Sequence, residues 1–167
     1  MSSRHGFTLV ELVIVIALSG FLMALGAPAF SAWQTKHRAE DQIEKLYSNL
    51  QFARMKAYTE KVTWGLWWGA GPFSSYEIRR DNSNPPDGDI TDSGDVNAPS
   101  AVSLKFPITA SDNSARVTFD TRGSCNSLAT FYIPTTTNTG ASTDCITVSR
   151  TRIRLGKLDS SNNCNPK

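Results

Sequence analysis

The sequence predicts an α+β protein: a long N-terminal α-helix, transmembrane in its first half and amphipathic in its second, packed on a C-terminal antiparallel β-sheet head. Three observations predict it. The chain opens on an almost wholly apolar run, continues with an apolar stripe at helical spacing, and ends in short β-favouring runs separated by turn-rich stretches. Its 167 residues suit one domain, or one domain with an appendage, and 40% hydrophobic against 19% charged residues exclude a wholly disordered chain. A formal charge of +2 is too small to make the whole molecule a nucleic-acid binder, so any such activity must come from a local patch.

From Phe7 to Ala27 the chain reads FTLVELVIVIALSGFLMALGA, with Glu11 as its one charge. A helix of that length spans about 31 Å, matching roughly 30 Å of bilayer hydrocarbon. A buried core helix would carry a polar stripe, which Thr8, Glu11 and Ser19 do not form. A secretory signal has a shorter apolar centre followed by a small-residue cleavage site, whereas here the small residue, Gly6, precedes the run. Residues 7–27 therefore read as a retained membrane helix. A carboxylate inside such a span costs about 2.5–3.5 kcal/mol at its centre and less near an end. The span supplies Glu11 with no Lys or Arg, so its partner lies on another chain or is a terminal amine made by processing. Cleavage between Gly6 and Phe7 creates such an amine four residues from Glu11, on the same helix face.

Beyond the span, Ala39, Ile43, Leu46, Leu50, Ala53 and Ala57 recur at alternating spacings of four and three, one stripe flanked by Arg38, Glu40, Asp41, Glu44, Lys45, Arg54 and Lys56. Such a stripe most often packs on its own domain, with a separate coiled coil as the alternative. The helix thus runs over 7–60, with a kink near Gly26 to Pro28. The head, 61–167, begins with the aromatic run Val62 to Trp68. Tyr76 to Arg80, Val102 to Phe106, Ala115 to Phe119, Thr130 to Ile133 and Ile146 to Leu155 read as further strands. Asp81 to Pro99 reads as a long polar loop with no apolar period.

Gly6-Phe7-Thr8-Leu9-Val10-Glu11, after a short leader containing Arg4 and His5, resembles the processing motif of class III prepilins: type IV pilins, minor pilins and the pseudopilins of type II secretion. Pro28 falls where such proteins commonly carry a helix-kinking proline. The head extends the likeness. LQFARMKAY precedes a Trp-rich strand, then come Arg116-Val117-Thr118-Phe119 with Arg122-Gly123, and Cys145-Ile146-Thr147-Val148-Ser149 before Thr151-Arg152-Ile153-Arg154. That order is similar to the GspH/FimT branch, whose members often carry Gly-Arg-x-Arg near the end, where this chain has Thr151 in place of the Gly. The resemblance implies a pilin-like fold, a leader of residues 1–6 removed after Gly6 by a prepilin peptidase, and N-methylation of Phe7. It also implies a single-pass anchor in the bacterial inner membrane, a periplasmic head, and assembly with other pilin or pseudopilin subunits through the N-terminal helix. There Glu11 would neutralise the Phe7 amine of a neighbour, both groups being costly unpaired in hydrocarbon.

Cys125, Cys145 and Cys164 would then face an oxidising compartment, where three cysteines allow one bridge and one free thiol, or none. A staple is expected that ties Cys164 to Cys145 or to Cys125. Without a CxxC, no zinc site is supported. Asp87, Asp89, Asp92 and Asp95 bring calcium to mind, which related pseudopilins bind through a loop. Their spacing fails the EF-hand pattern, so the loop reads as solvated and neither metal nor cofactor is assigned. His5 lies in the leader and His37 just past the span; no nucleophile, acid–base set or phosphate loop is visible, so no catalytic residue is assigned. Arg150, Arg152 and Arg154 alternate with Thr151, Ile153 and Leu155, so a strand would place three guanidinium groups on one face, with Lys157 following. In the FimT-like branch a basic end of this kind has been linked to DNA capture during uptake. The plainer reading is a solvated face paired with Asp or Glu, because total charge is low and no aromatic stands beside the arginines. The sequence thus reads as a minor structural subunit of a type II secretion pseudopilus or a type IV pilus, with a DNA-binding minor pilin as the alternative.

Overall fold

A computed structural model describes residues 8–69, 71–95, 101–112 and 115–166, without the side chains of 25–28. They fall into two compact units, Met1–Thr35 and Lys36–Lys167. One helix, α1 (Leu9–Glu60), supplies the described part of the first unit and opens the second. The expected kink at Gly26 to Pro28 falls on side chains outside those described.

In the second unit every residue of the expected stripe is buried. Ala39, Ile43, Leu46, Leu50, Ala53 and Ala57 are each at most 1% exposed. Three of the six are alanines, which let the helix approach the sheet closely, while Ile43, Leu46 and Leu50 fill the space between. Each fully buried aliphatic of that size contributes about 1.5–3 kcal/mol. Helix α1 stops at Lys61, whose φ of 56° is left-handed. The Lys61 N–H still donates to the Ala57 carbonyl at 3.1 Å, and its ammonium lies 4.0 Å from the Tyr58 ring centroid. Glu60 ties this helix end to the sheet. Its carboxylate accepts from Lys56 Nζ at 2.9 Å and from Trp64 Nε1 at 3.1 Å, and lies 3.4 Å from Arg80 Nε. The Lys56 hydrogen bond is the largest cause holding its pKa below the usual carboxylate range.

Eight strands follow: β1 (Trp64–Trp67), β2 (Phe73–Arg80), β3 (Val102–Ala110), β4 (Arg116–Phe119), β5 (Ala129–Tyr132), β6 (Cys145–Val148), β7 (Ile153–Leu158) and β8 (Cys164–Pro166). They form one antiparallel sheet in the order β4-β1-β2-β3-β5-β6-β7-β8. The stretch 146–155 proves to be two strands rather than one continuous run, and β8 had no counterpart among the expected strands. Trp68, Phe73 and Phe131 knit the core under the helix, with ring centroids 5.1 to 6.2 Å apart.

The ladder is interrupted once. Tyr76 pairs with Val102 and Ser75 with Ser103, but Phe73 pairs with Ile108, so β3 carries extra residues that leave β2. Pro107 lies in that stretch and has no N–H to donate. The displaced backbone is held by the helix instead: Gln42 Oε1 accepts from the Lys105 and Phe106 N–H groups at 2.8 and 3.0 Å, and Nε2 donates to the Phe106 carbonyl at 2.7 Å. One amide side chain thereby stands in for a missing strand partner.

The described part of the 81–99 loop departs from the solvated reading. Ile90 is fully buried, and its Cδ1 lies beside Gly65 on β1. Asp81 and Asp95, each 1% exposed, organise the loop from inside. Asp81 accepts from the Ser83 and Gly88 N–H groups, and Asp95 from those of Asn82 and Asp92. The physical reason is that carboxylates facing inward satisfy turn amides that no strand reaches.

Candidate functional site

In the first unit the described apolar side chains point outward. From Leu9 to Met23 the large hydrophobics are between 52 and 78% exposed. Among the described residues no single helix is long and apolar enough to cross a membrane. The stretches Leu9–Ala24 and Ala29–Glu60 pass that test only together. Gly6 and Phe7, the expected processing and methylation residues, lie outside the described residues, as does the Pro28 side chain.

Three polar side chains interrupt residues 8–24, and two of them are satisfied locally. Thr8 caps the helix, its Oγ1 accepting the Glu11 N–H at 3.2 Å, and Ser19 Oγ donates to the Val15 carbonyl at 2.7 Å. The Glu11 carboxylate has no ion-pair partner among the described residues. Glu11 is the third helical residue after the cap, where the positive end of the helix dipole favours a carboxylate. Sequence reasoning missed the capping role of Thr8, which the Thr-x-x-Glu pattern ahead of an apolar run signals.

At the other end of the chain the arginines separate. Arg154 belongs to β7, but Arg150 and Thr151 form the turn of the β6–β7 hairpin, closed by the Ser149 N–H donating to the Arg152 carbonyl at 2.8 Å. Three guanidinium groups on one strand face is therefore incorrect: Val148 pairs with Ile153, so the chain reverses between them. Arg150, Arg152 and Arg154 are all exposed, and none has an ion pair among the described residues. The turn is held by its backbone. Arg54 of α1 donates to the Thr151 carbonyl at 2.9 Å, and the Cys125 N–H donates to that of Arg150 at 2.9 Å. Lys157 is committed elsewhere: it forms an ion pair with Asp144 and donates to the Ala141 carbonyl at 2.6 Å.

The cysteines resolve into one bridge and one thiol. Cys145 on β6 is bonded to Cys164 on β8, and Cys125 is free and buried. The bridge passes over Gly156 of β7. A Cβ there would sit 2.7 Å from Cys164 Sγ and 2.6 Å from the Asn165 carbonyl oxygen, so only glycine fits. Cys125 Sγ donates to the Ser127 carbonyl at 2.8 Å. Burial pushes its thiol pKa up, outweighing that hydrogen bond and the nearby Arg54. A protonated donor of this kind is a poor nucleophile. Among the described residues, those of the acidic loop included, no three His, Cys, Asp or Glu side chains converge. Asp87 and Asp89 instead accept backbone N–H groups of their own turn, and Asp89 lies 3.4 Å from Arg116.

Residues 1–27 match the prokaryotic N-terminal methylation motif, and residues 42–152, more than half of the chain, match the model of type II transport protein GspH. The chain belongs to the GspH family. The fold of this GspH-family chain is also that of the type IV minor pilin FimU of Pseudomonas aeruginosa. One crystal form of that protein superposes with a TM-score of 0.51 at 18% identity, covering 75% of this chain and 96% of the crystallised chain. A second gives 0.51 at 16%, covering 80% and 96%. No curated relative matches in sequence. A GspH-family chain with an N-methylation motif is a pilin- or pseudopilin-like minor subunit, a structural component and not an enzyme.

Proposed function

We propose that this chain is a minor structural subunit of a type II secretion pseudopilus or a type IV pilus. Its leader is removed after Gly6 and Phe7 is N-methylated. Residues 7–27 hold it in the inner membrane with the head in the periplasm until assembly draws the helix into a filament. The observation that carries this reading is the Glu11 carboxylate, which has no ion partner among the described residues and lies on an exposed apolar helix where Thr8 and Ser19 are satisfied locally. In a shared helical core a neighbour's terminal amine would supply the missing charge. The Cys145–Cys164 bridge supports an oxidising compartment for the head.

Glu11→Val is the test. Membrane insertion should be retained, because a costly charge is removed. The fraction of chain recovered with sheared filaments should fall at least about tenfold, the equivalent of 1.4 kcal/mol of lost pairing. Mass spectrometry of the wild-type chain from membranes should find Phe7 as a methylated N-terminus. An intact leader, or undiminished recovery of the Glu11 variant with filaments, defeats the reading.

A second reading is favoured by Arg150, Arg152 and Arg154, exposed and without an ion pair among the described residues: a DNA-holding minor pilin. Phosphate contacts of this kind give non-specific affinity of about 10⁻⁴–10⁻⁶ M at physiological salt, falling steeply as salt rises. Gel-shift titration of the detergent-solubilised chain at two salt concentrations should then show salt-dependent binding that Arg→Gln at all three positions removes. Equal binding by wild type and variant sinks it.

A further inference from the structure

The last turns of α1 carry a second row of side chains beside the buried stripe. Gln51, Met55 and Tyr58 recur at spacings of four and three, and Met55 and Tyr58 are each more than half exposed. Among the described residues from Lys36 onward four large hydrophobics are exposed, and three of them, Phe52, Met55 and Tyr58, fall on this stretch of helix. Exposed apolar side chains are ordinary when scattered and informative when clustered. Gln51, Arg54, Met55 and Tyr58 line an open groove of about 300 Å³, which Arg122 and Gly123 of the β4–β5 loop complete.

The charge of this groove is one-sided. Arg54 and Arg122 line it and no carboxylate does, while the Lys61 ammonium lies over the Tyr58 ring and donates to the Thr121 carbonyl at 3.4 Å. None of these three cations has an ion pair among the described residues. The rim is also fixed in advance. Asp120 accepts the Arg122 and Ser124 N–H groups at 2.9 and 2.8 Å, and Arg54 is braced on the Thr151 carbonyl with further N–H donors to spare. A preorganised surface loses little conformational entropy on docking.

Tyrosine, methionine and arginine are the residue types enriched where proteins meet. A nucleic-acid backbone offers phosphates to the cations and leaves an apolar depression unfilled. Packed on itself, this face would set Arg54, Lys61 and Arg122 against the same three cations, which opposes a symmetric pair of copies. We propose that the groove docks an acidic, apolar-tipped segment of a different subunit of the same filament. The apolar tip covers Met55 and Tyr58, and the flanking carboxylates meet Arg54, Lys61 and Arg122. This contact rests on the filament reading above.

The full-length chain, with a photo-reactive benzophenone side chain in place of Gln51, is irradiated in the assembling cell. The expected product is an adduct with another subunit of the sheared filament, its cross-linked peptide carrying Asp or Glu beside the site. Its yield should fall at least about tenfold when Arg54→Glu and Arg122→Glu are added. Changing that partner acid to Lys should restore it, which a merely misfolded variant would not allow. Absence of an adduct, with the chain still recovered in sheared filaments, overturns this contact and leaves the filament reading standing. Absence of the chain from filaments overturns the two together. An adduct with a second copy, a nuclease-sensitive adduct with DNA, or equal yield from the same side chain placed at Ser160 overturns the proposal.

Discussion

Gly65→Ala is expected to lower the unfolding free energy of the head by at least about 3 kcal/mol, the upper part of the range for overpacked cores. A Cβ at this position would stand 2.2 Å from the Val117 carbonyl oxygen, 2.9 Å from Ile90 Cδ1 and 3.0 Å from the Thr118 Cα. Two of those three atoms are backbone, so no change of rotamer relieves the clash. Gly65 pairs with Thr118 and Leu66 with Val117, and β1 must part from β4 to make room. Urea unfolding followed by the emission of Trp64, Trp67 and Trp68 measures the loss. Gly94→Ala serves as control, since a Cβ there meets nothing within 4 Å and the change should stay within about 0.5 kcal/mol. Equal midpoints for the two variants would show that β1 and β4 do not approach as closely as described.

Removing the bridge with Cys145→Ser and Cys164→Ser should cost about 3 kcal/mol, the chain-entropy value for a loop of this size. The bridged cysteines lie 19 positions apart, and the segment between them includes all of β7, a strand whose outer neighbour β8 is only three residues long. Freed from the bridge, β8 has little to hold it, because its residues are largely exposed. The same urea titration, run with and without reductant on the wild type, measures the cost independently. Alkylation of the denatured, unreduced chain should label one cysteine, Cys125. Labelling at Cys145 or Cys164 would refute the pairing.

How far the sequence speaks depends on whether a feature repeats. The α1 stripe was legible because six small or apolar residues keep a 3.6-residue period, and all six are buried. Most strands were legible through β-branched and aromatic residues. The β6–β7 turn was not, because Arg150-Thr151-Arg152-Ile153-Arg154 keeps an alternating pattern straight through it. Neither Arg150 nor Thr151 adopts a positive φ, so the turn asks for no glycine or asparagine that would mark it. Ile90 was hidden for the opposite reason: a single buried residue has no period. Inward-facing Asp81 and Asp95 look like any solvated carboxylate until the amides they serve are seen. The bridge partner depended on topology, since only the placing of β8 against β7 brings Cys164 to Cys145. Glu11 could be singled out from sequence because a lone charge in an apolar run contrasts with everything around it.

The bridge over Gly156 also decides how the head would bear a mechanical load. In an uncrosslinked chain, tension on the C-terminus would peel β8 from β7 and then β7 from β6, one rung at a time from the sheet's edge. With Cys164 fastened to Cys145, a pull arriving at β8 bypasses both outer strands and enters at β6, which is flanked by β5 and β7. The segment between the cysteines, which lie 19 positions apart, cannot pay out, which withholds roughly 60–70 Å of extension. Rupture then demands that paired rungs be sheared together instead of unzipped singly, and the last strand of the chain becomes a fixed handle.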